Sequence, residues 1–220
     1  MERYRGPVLE LACGTGRLTI PIAKEHHDIM GLDISKPFLK HAEKKASEED
    51  IYIDWIRGDM RRFSFEKNFG LIFVSYNSIH HILTLDALER VLKNVKEHLK
   101  KDGRFIVEFF NPDLEILNRD PEEKHESATY QDPDSGGEIK IMEKTRYHRA
   151  RQLIDLTWFY ESGDEVLMTR EWTIRAWFPK EVDTVLKYNG FKIEHKYGDF
   201  DKTPFTNNSG QQIIVCKKDR

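Results

Sequence analysis

The chain has 220 residues, with 35 basic against 38 acidic side chains, 39% hydrophobic and 11% aromatic residues. That length suits one α/β core with an embellishment better than two independent domains, and the spread of aromatics excludes a disordered chain. The formal charge of −3 gives nucleic acid no general attraction. Residues 1–5 lack the apolar core of a signal peptide, and no apolar run reaches membrane-spanning length. Cys13 and Cys216 are too far apart in sequence for a disulfide framework or a metal-ligand spacing, which reads as a reducing cytoplasm.

The first half alternates short apolar runs with helical periodicity, the form of repeated strand–helix–strand units around a parallel sheet. Residues 8–11 read as the first strand and residues 17–25 as its helix. Residues 29–33 read as the second strand, with Ser35 as N-cap of a helix that turns Phe38, Leu39, Ala42 and Ala46 to one face. Residues 51–56 and 71–74 read as third and fourth strands. Leu88, Val91, Leu92, Val95 and Leu99 recur at amphipathic-helix spacing, with Gly103 as the expected helix stop before a fifth strand over residues 104–110. Beyond Asn111-Pro112 the pattern changes to a polar stretch and three strand-like runs near 138–148, 152–161 and 167–177. These are read as a three-stranded antiparallel insertion. Phe178-Pro179 opens a helix closed by Gly190, and residues 191–197 and 212–216 complete the sheet as an antiparallel pair. The expected fold is therefore α/β: a seven-stranded, doubly wound, mostly parallel sheet with an antiparallel last strand. Residues 1–112 and 178–220 form the main domain, and residues 113–177 form an insertion covering the active site.

The chemistry concentrates at the carboxyl ends of the strands. Glu10-Leu11-Ala12-Cys13-Gly14-Thr15-Gly16-Arg17 ends the first strand in a tight glycine turn, where open α/β sheets bind ligands. The spacing disfavours a dinucleotide, because Thr19 stands where a third small helix-packing residue would be required. Asp33 ends the second strand, placed to accept from ribose hydroxyls, with capping of the next helix as the plainer alternative. Gly58-Asp59-Met60 follows the third strand and offers a carboxylate to an exocyclic amine. Three acidic residues ending successive strands are awkward for a pyrophosphate and suit a cationic ligand.

These residues, with Gly31-Leu32-Asp33-Ile34-Ser35 and Leu99-Lys100-Lys101-Asp102-Gly103, resemble the class I S-adenosyl-L-methionine-dependent methyltransferases. The resemblance implies that the loop bearing Glu10, Ala12, Cys13, Gly14, Gly16 and Arg17 passes the methionine portion. It also implies that Asp33 and Ile34 serve the ribose, and that Gly58, Asp59 and Met60 flank the adenine. Ser75, Tyr76 and Asn77, after the fourth strand, are placed near the methionine portion or the acceptor, and His81 is the candidate base. His80 reads more readily as a helix-start residue, and adjacent histidines diverge too much for a metal site. Two departures stand out: Ala12 replaces a usual glycine, and the chain starts almost on the first strand, where Tyr4 reads more readily as an exposed terminal tyrosine than as a remnant of an N-terminal cover. The insertion resembles that of small-molecule N-methyltransferases, with Tyr147, Trp158, Tyr160, Trp172 and Trp177 mostly in its core. The function expected is methyl transfer to nitrogen or oxygen of a small-molecule acceptor, with a homodimer left open. The alternatives are an NAD-type oxidoreductase and a non-catalytic cofactor-binding scaffold.

Overall fold

The computed structural model describes residues 6–25, 28–132 and 136–219. The chain forms two compact units: one holds the described residues of 1–79, 84–111 and 178–220, the other those of 80–83 and 112–177.

The first unit is built on a seven-stranded sheet. Its strands are β1 (Val8–Leu11), β2 (Ile29–Asp33), β3 (Asp54–Arg57), β4 (Phe69–Val74), β5 (Leu99–Phe110), β10 (Phe191–Tyr197) and β11 (Gln211–Lys218). They lie in the order β10-β11-β5-β4-β1-β2-β3. β1 pairs in parallel with both β2 and β4, so the chain reverses its winding there. β11 runs antiparallel to both β5 and β10. The sheet thus has the expected mostly parallel form with an antiparallel last strand. All of β1, β2 and β4 is buried, as central strands covered on both faces of a parallel sheet are.

The helices form where periodicity and caps agree. Helix α1 (Thr19–Lys24) is short. Helix α2 (Lys36–Glu48) is capped by Ser35, whose hydroxyl accepts from Phe38 N–H, and buries Leu39, Ala42 and Ala46. Helix α3 (Leu85–His98) is capped by Thr84 and buries Leu88, Val91, Leu92 and Val95, one stripe at 3–4 residue spacing. The expected stop at Gly103 is corrected. The helix ends at His98 and passes directly into β5. Gly103 instead lies in an irregular stretch of the β4–β5 ladder, where Phe69 opposes Leu99 but Leu71 opposes Arg104. A Cβ there would come 3.0 Å from the Phe69 carbonyl oxygen, so the glycine serves a bulge and not a cap. Helix α5 (Pro179–Tyr188) closes as expected at Gly190, which has φ 78°.

The second unit contains helix α4 (Leu114–Leu117) and an antiparallel sheet of four strands, β6 (His125–Gln131), β7 (Glu138–His148), β8 (Leu153–Ser162) and β9 (Glu165–Arg175), in sequential order. The sequence predicts three strands. The additional β6 is almost wholly exposed, so it lacks the alternation by which a half-buried strand is recognised. Trp177 is fully buried, with the Arg175 guanidinium 3.9 Å from its ring. Trp158 and Trp172 meet edge to face at 4.8 Å, and Trp158 Nε1 donates to Glu143, so these rings pack among themselves.

Candidate active site

The glycine turn is built from left-handed backbone. Ala12, Gly14 and Gly16 have φ of 58°, 57° and 75°. The two glycines take this conformation freely, whereas Ala12 carries about 1–2 kcal/mol of strain for it. The loop is closed by Gly16 N–H donating to the Cys13 carbonyl, and Cys13 N–H donating to the Leu32 carbonyl. Cys13 is buried, and burial beside Glu10 and Asp33 raises its thiol pKa, so it contributes backbone and packing. A Cβ on Gly14 would meet nothing within 4 Å, but one on Gly16 would come 2.8 Å from the Trp55 ring. Trp55 also covers Gly31. It walls the loop, and no motif in the sequence singles it out.

Asp33 is 7% exposed. One carboxylate oxygen accepts from Gly14 N–H at 2.8 Å and the other from Ser35 N–H at 2.7 Å. The helix cap is Ser35 itself, so Asp33 is freed from that alternative and instead fastens the glycine loop to the end of β2. Each oxygen keeps a second lone pair for a ligand hydroxyl. Asp33→Ala is expected to weaken cofactor binding about ten- to a hundredfold, through lost charge-assisted bonds and a loosened loop, in a calorimetric titration.

Glu10 is 3% exposed and accepts a hydrogen bond from the Thr19 hydroxyl. Burial raises its pKa from 4.5 to about 7, against the pull of Thr19, Arg17 and Ser75. The loop from Gly58 is tied back by Gly58 N–H donating to the Asp33 carbonyl, which sets Asp59 and Met60 at the same sheet edge. The Asp59 carboxylate is engaged by Arg61 through Nε and Nη2 at 2.6–3.0 Å, and that partner holds its pKa low. Ile34 is 63% exposed, as a side chain offered to a ligand would be.

After β4, Tyr76 and Asn77 are both left-handed, with φ 55° and 60°. Tyr76 is exposed and stacked under the Arg17 guanidinium at 4.3 Å. Asn77 Oδ1 is buried without a hydrogen-bond partner. His80 is 1% exposed, with Nδ1 2.6 Å from the Arg175 carbonyl oxygen, and burial takes its pKa down to about 4. Read from the sequence as a helix-start residue, it lies in the short 3-10 turn Ser78–His81 and is buried. His81 keeps an exposed surface, and partial desolvation of its ring lowers its pKa. Tyr4 lies outside the described residues. Among the described residues both cysteines are free, no His/Cys/Asp/Glu group could hold a metal ion, and no helix is long and apolar enough to cross a membrane.

Glu108, near the carboxyl end of β5, stands at the same sheet edge and is left out by the sequence motifs. It is 4% exposed and accepts from Tyr76 N–H at 2.7 Å. A signal for it exists: like Glu10, it is an acidic residue near the carboxyl end of a buried apolar strand. The glycine loop leaves open space at Gly14, Asn77 Oδ1 lacks a partner, and Glu10, Asp33 and Glu108 are acidic. These residues fit a ligand with an ammonium group and a positive sulfur.

Residues 8–103 match the model of a methyltransferase domain family. Over 218 residues the chain is 23% identical to a putative methyltransferase, YqeM, of Bacillus subtilis, covering 98% of this chain and 85% of that one. Over 101 residues it is 31% identical to dTDP-3-amino-3,4,6-trideoxy-alpha-D-glucopyranose N,N-dimethyltransferase of Streptomyces venezuelae, covering 46% of this chain and 41% of that enzyme. The structure of the CcbJ methyltransferase from Streptomyces caelestis shares the fold over all of this chain and 86% of its own, with TM-score 0.86 and 20% identity. The methyltransferase domain match thus spans the glycine loop, Asp33, Asp59 and the turn after β4, and the chain as a whole has the fold of the CcbJ methyltransferase.

Proposed function

We propose that this enzyme methylates nitrogen, with oxygen as the second choice, of a small-molecule acceptor. The observation that carries this reading is the acidic sheet edge of Glu10 and Asp33, followed along the chain by a histidine, His81, whose pKa partial burial lowers. The 31% identity to an amino-sugar N,N-dimethyltransferase supports the same acceptor class.

When bound, the cofactor supplies a methyl group on a positively charged sulfur. The chain's own work is to hold, orient and exclude water. The loop from Glu10 to Arg17 and the residues Ser75, Tyr76 and Asn77 hold the methionine portion, Asp33 with Ile34 the ribose, and Asp59 with Met60 the adenine. For Asp59 this requires Arg61 to share the carboxylate. An amine acceptor must present a lone pair, so an ammonium first gives up a proton. His81, four residues after Asn77, takes it at a ring nitrogen.

His81→Ala is expected to lower turnover about a hundredfold near neutral pH and to leave cofactor affinity unchanged. The deficit should shrink as pH rises and the acceptor loses its own proton. Normal turnover across the whole pH range would remove His81 from the reaction. The acceptor class is tested by a screen of small amines and hydroxy acids for S-adenosylhomocysteine formation; product with hydroxy acids alone would overturn the nitrogen assignment.

A further inference from the structure

Glu108 has a structural relation to the turn after β4 that the reaction scheme does not use. In the β5–β11 ladder Glu108 stands opposite Ile213, and in the β4–β5 ladder Val107 stands opposite Val74. Glu108 is therefore level with Ser75 at the carboxyl edge of the sheet. Its side chain bonds the amide of the next residue, Tyr76, at 2.7 Å.

That amide opens a turn the backbone does not favour. Tyr76 and Asn77 are consecutive non-glycine residues in the left-handed region, which costs about 1–2 kcal/mol for each. Such a turn persists only if its surroundings fix it. The turn also decides where two side chains go: the Tyr76 ring lies under the Arg17 guanidinium at 4.3 Å, and Asn77 Oδ1 is buried without a partner. Arg17 in turn acts electrostatically on both Glu10 and Glu108. The two acidic strand ends and the turn thus meet at one cation.

We propose that Glu108 is a positioning residue for methyl transfer, whose carboxylate pins the Tyr76 amide and so holds the strained Tyr76–Asn77 turn in the shape that receives the cofactor. This rests on the reading that Tyr76 and Asn77 contact the cofactor. The chemistry needed at position 108 is a hydrogen-bond acceptor at carboxylate reach, not a negative charge. Burial raises the Glu108 pKa, and the Tyr76 amide and Arg17 oppose that shift. A neutral acceptor of the same length should therefore serve.

The test compares Glu108→Ala with Glu108→Gln, using calorimetric titration with S-adenosylmethionine and amide hydrogen exchange resolved to residues 75–78. Glu108→Ala should bind about tenfold or more weakly, the scale of one lost bond to a charged group. Exchange should accelerate at Tyr76 and its neighbours while β5 and β11 stay protected. Glu108→Gln should restore affinity to within about threefold of wild type and restore protection of the turn. Wild-type affinity in Glu108→Ala would overturn the proposal, as would a Gln variant as weak as the Ala variant, since the charge would then be what matters. Exchange spreading through β5 and β11 would also overturn it, by making Glu108 a fold residue only. A wild-type chain that binds no S-adenosylmethionine would instead overturn the functional reading, and this proposal with it.

Discussion

Gly16→Val should unfold the glycine loop and abolish cofactor binding, while Gly14→Ala in the same loop should only weaken binding. The contrast follows from what surrounds each position. Gly16 has φ 75°, and a Cβ there would come 2.8 Å from the Trp55 ring and 3.0 Å from Ile20 Cδ1. Valine adds two methyl groups in a conformation that β-branched residues almost never adopt. Strain and overpacking together should cost about 3 kcal/mol or more, measurable as a lower denaturant midpoint. Gly14 is also left-handed, but nothing lies within 4 Å of its missing side chain. Ala12 shows that alanine can occupy this loop at φ 58°. Gly14→Ala should therefore cost about 1 kcal/mol of stability, and its larger effect should be on the ligand that the open space serves. Equal stability losses in the two variants would contradict this account of the loop.

Glu10→Gln should make the protein more stable above neutral pH and flatten its pH dependence. The folded carboxyl titrates at about 7 because it is buried, against an ordinary 4.5. Between those values the folded chain holds a proton that the unfolded chain has lost. The stability contributed by this group is thus fully present below about 4.5 and lost as pH rises through 7. The interval corresponds to about 3 kcal/mol. Denaturant unfolding at a series of pH values from 5 to 8.5 should show wild-type stability falling across that window and the Gln variant nearly level. Asp59, Asp155 and Glu194 are held below their ordinary pKa values, so their contribution is lost at lower pH and does not mask the slope. The same variant should lose affinity for the cationic cofactor more than for neutral S-adenosylhomocysteine, since a cation is what compensates a buried negative charge. A wild-type profile that rises from pH 5 to 8 would show that Glu10 is not buried as an acid.

The legible parts of the fold are those in which local pattern and burial agree. Helices α2 and α3 can be read because Ser35 and Thr84 precede apolar stripes that the sheet then buries. β1, β2 and β4 are readable because central parallel strands are buried on both faces and so are mostly apolar, with Glu10 and Asp33 as the exceptions that mark the site. β6 is not, because the exposed sequence from His125 to Gln131 is held by its ladder with β7 and not by a hydrophobic face. Gly103 misleads because a glycine after a helical stripe looks like a stop, and only the β4–β5 register shows the bulge it serves. In the site, the glycines and strand-end acids are readable from type and spacing. Their partners are not: Asp33 bonds across to Gly14, Trp55 walls Gly16 and Gly31, and Glu108 reaches Tyr76 from 32 positions away. These are tertiary relations between residues that share a sheet edge, and no local pattern encodes them.

The central claim is that the acidic edge around Glu10 and Asp33 holds a cationic adenosyl cofactor. It is tested most directly by calorimetric titration of the wild-type protein with S-adenosylmethionine, S-adenosylhomocysteine and NADH under one set of conditions. The expected result is saturable binding of both adenosyl ligands, a proton released with S-adenosylmethionine near pH 7 as Glu10 ionises beside the positive sulfur, and no binding of NADH. Binding of NADH in preference to S-adenosylmethionine would contradict it.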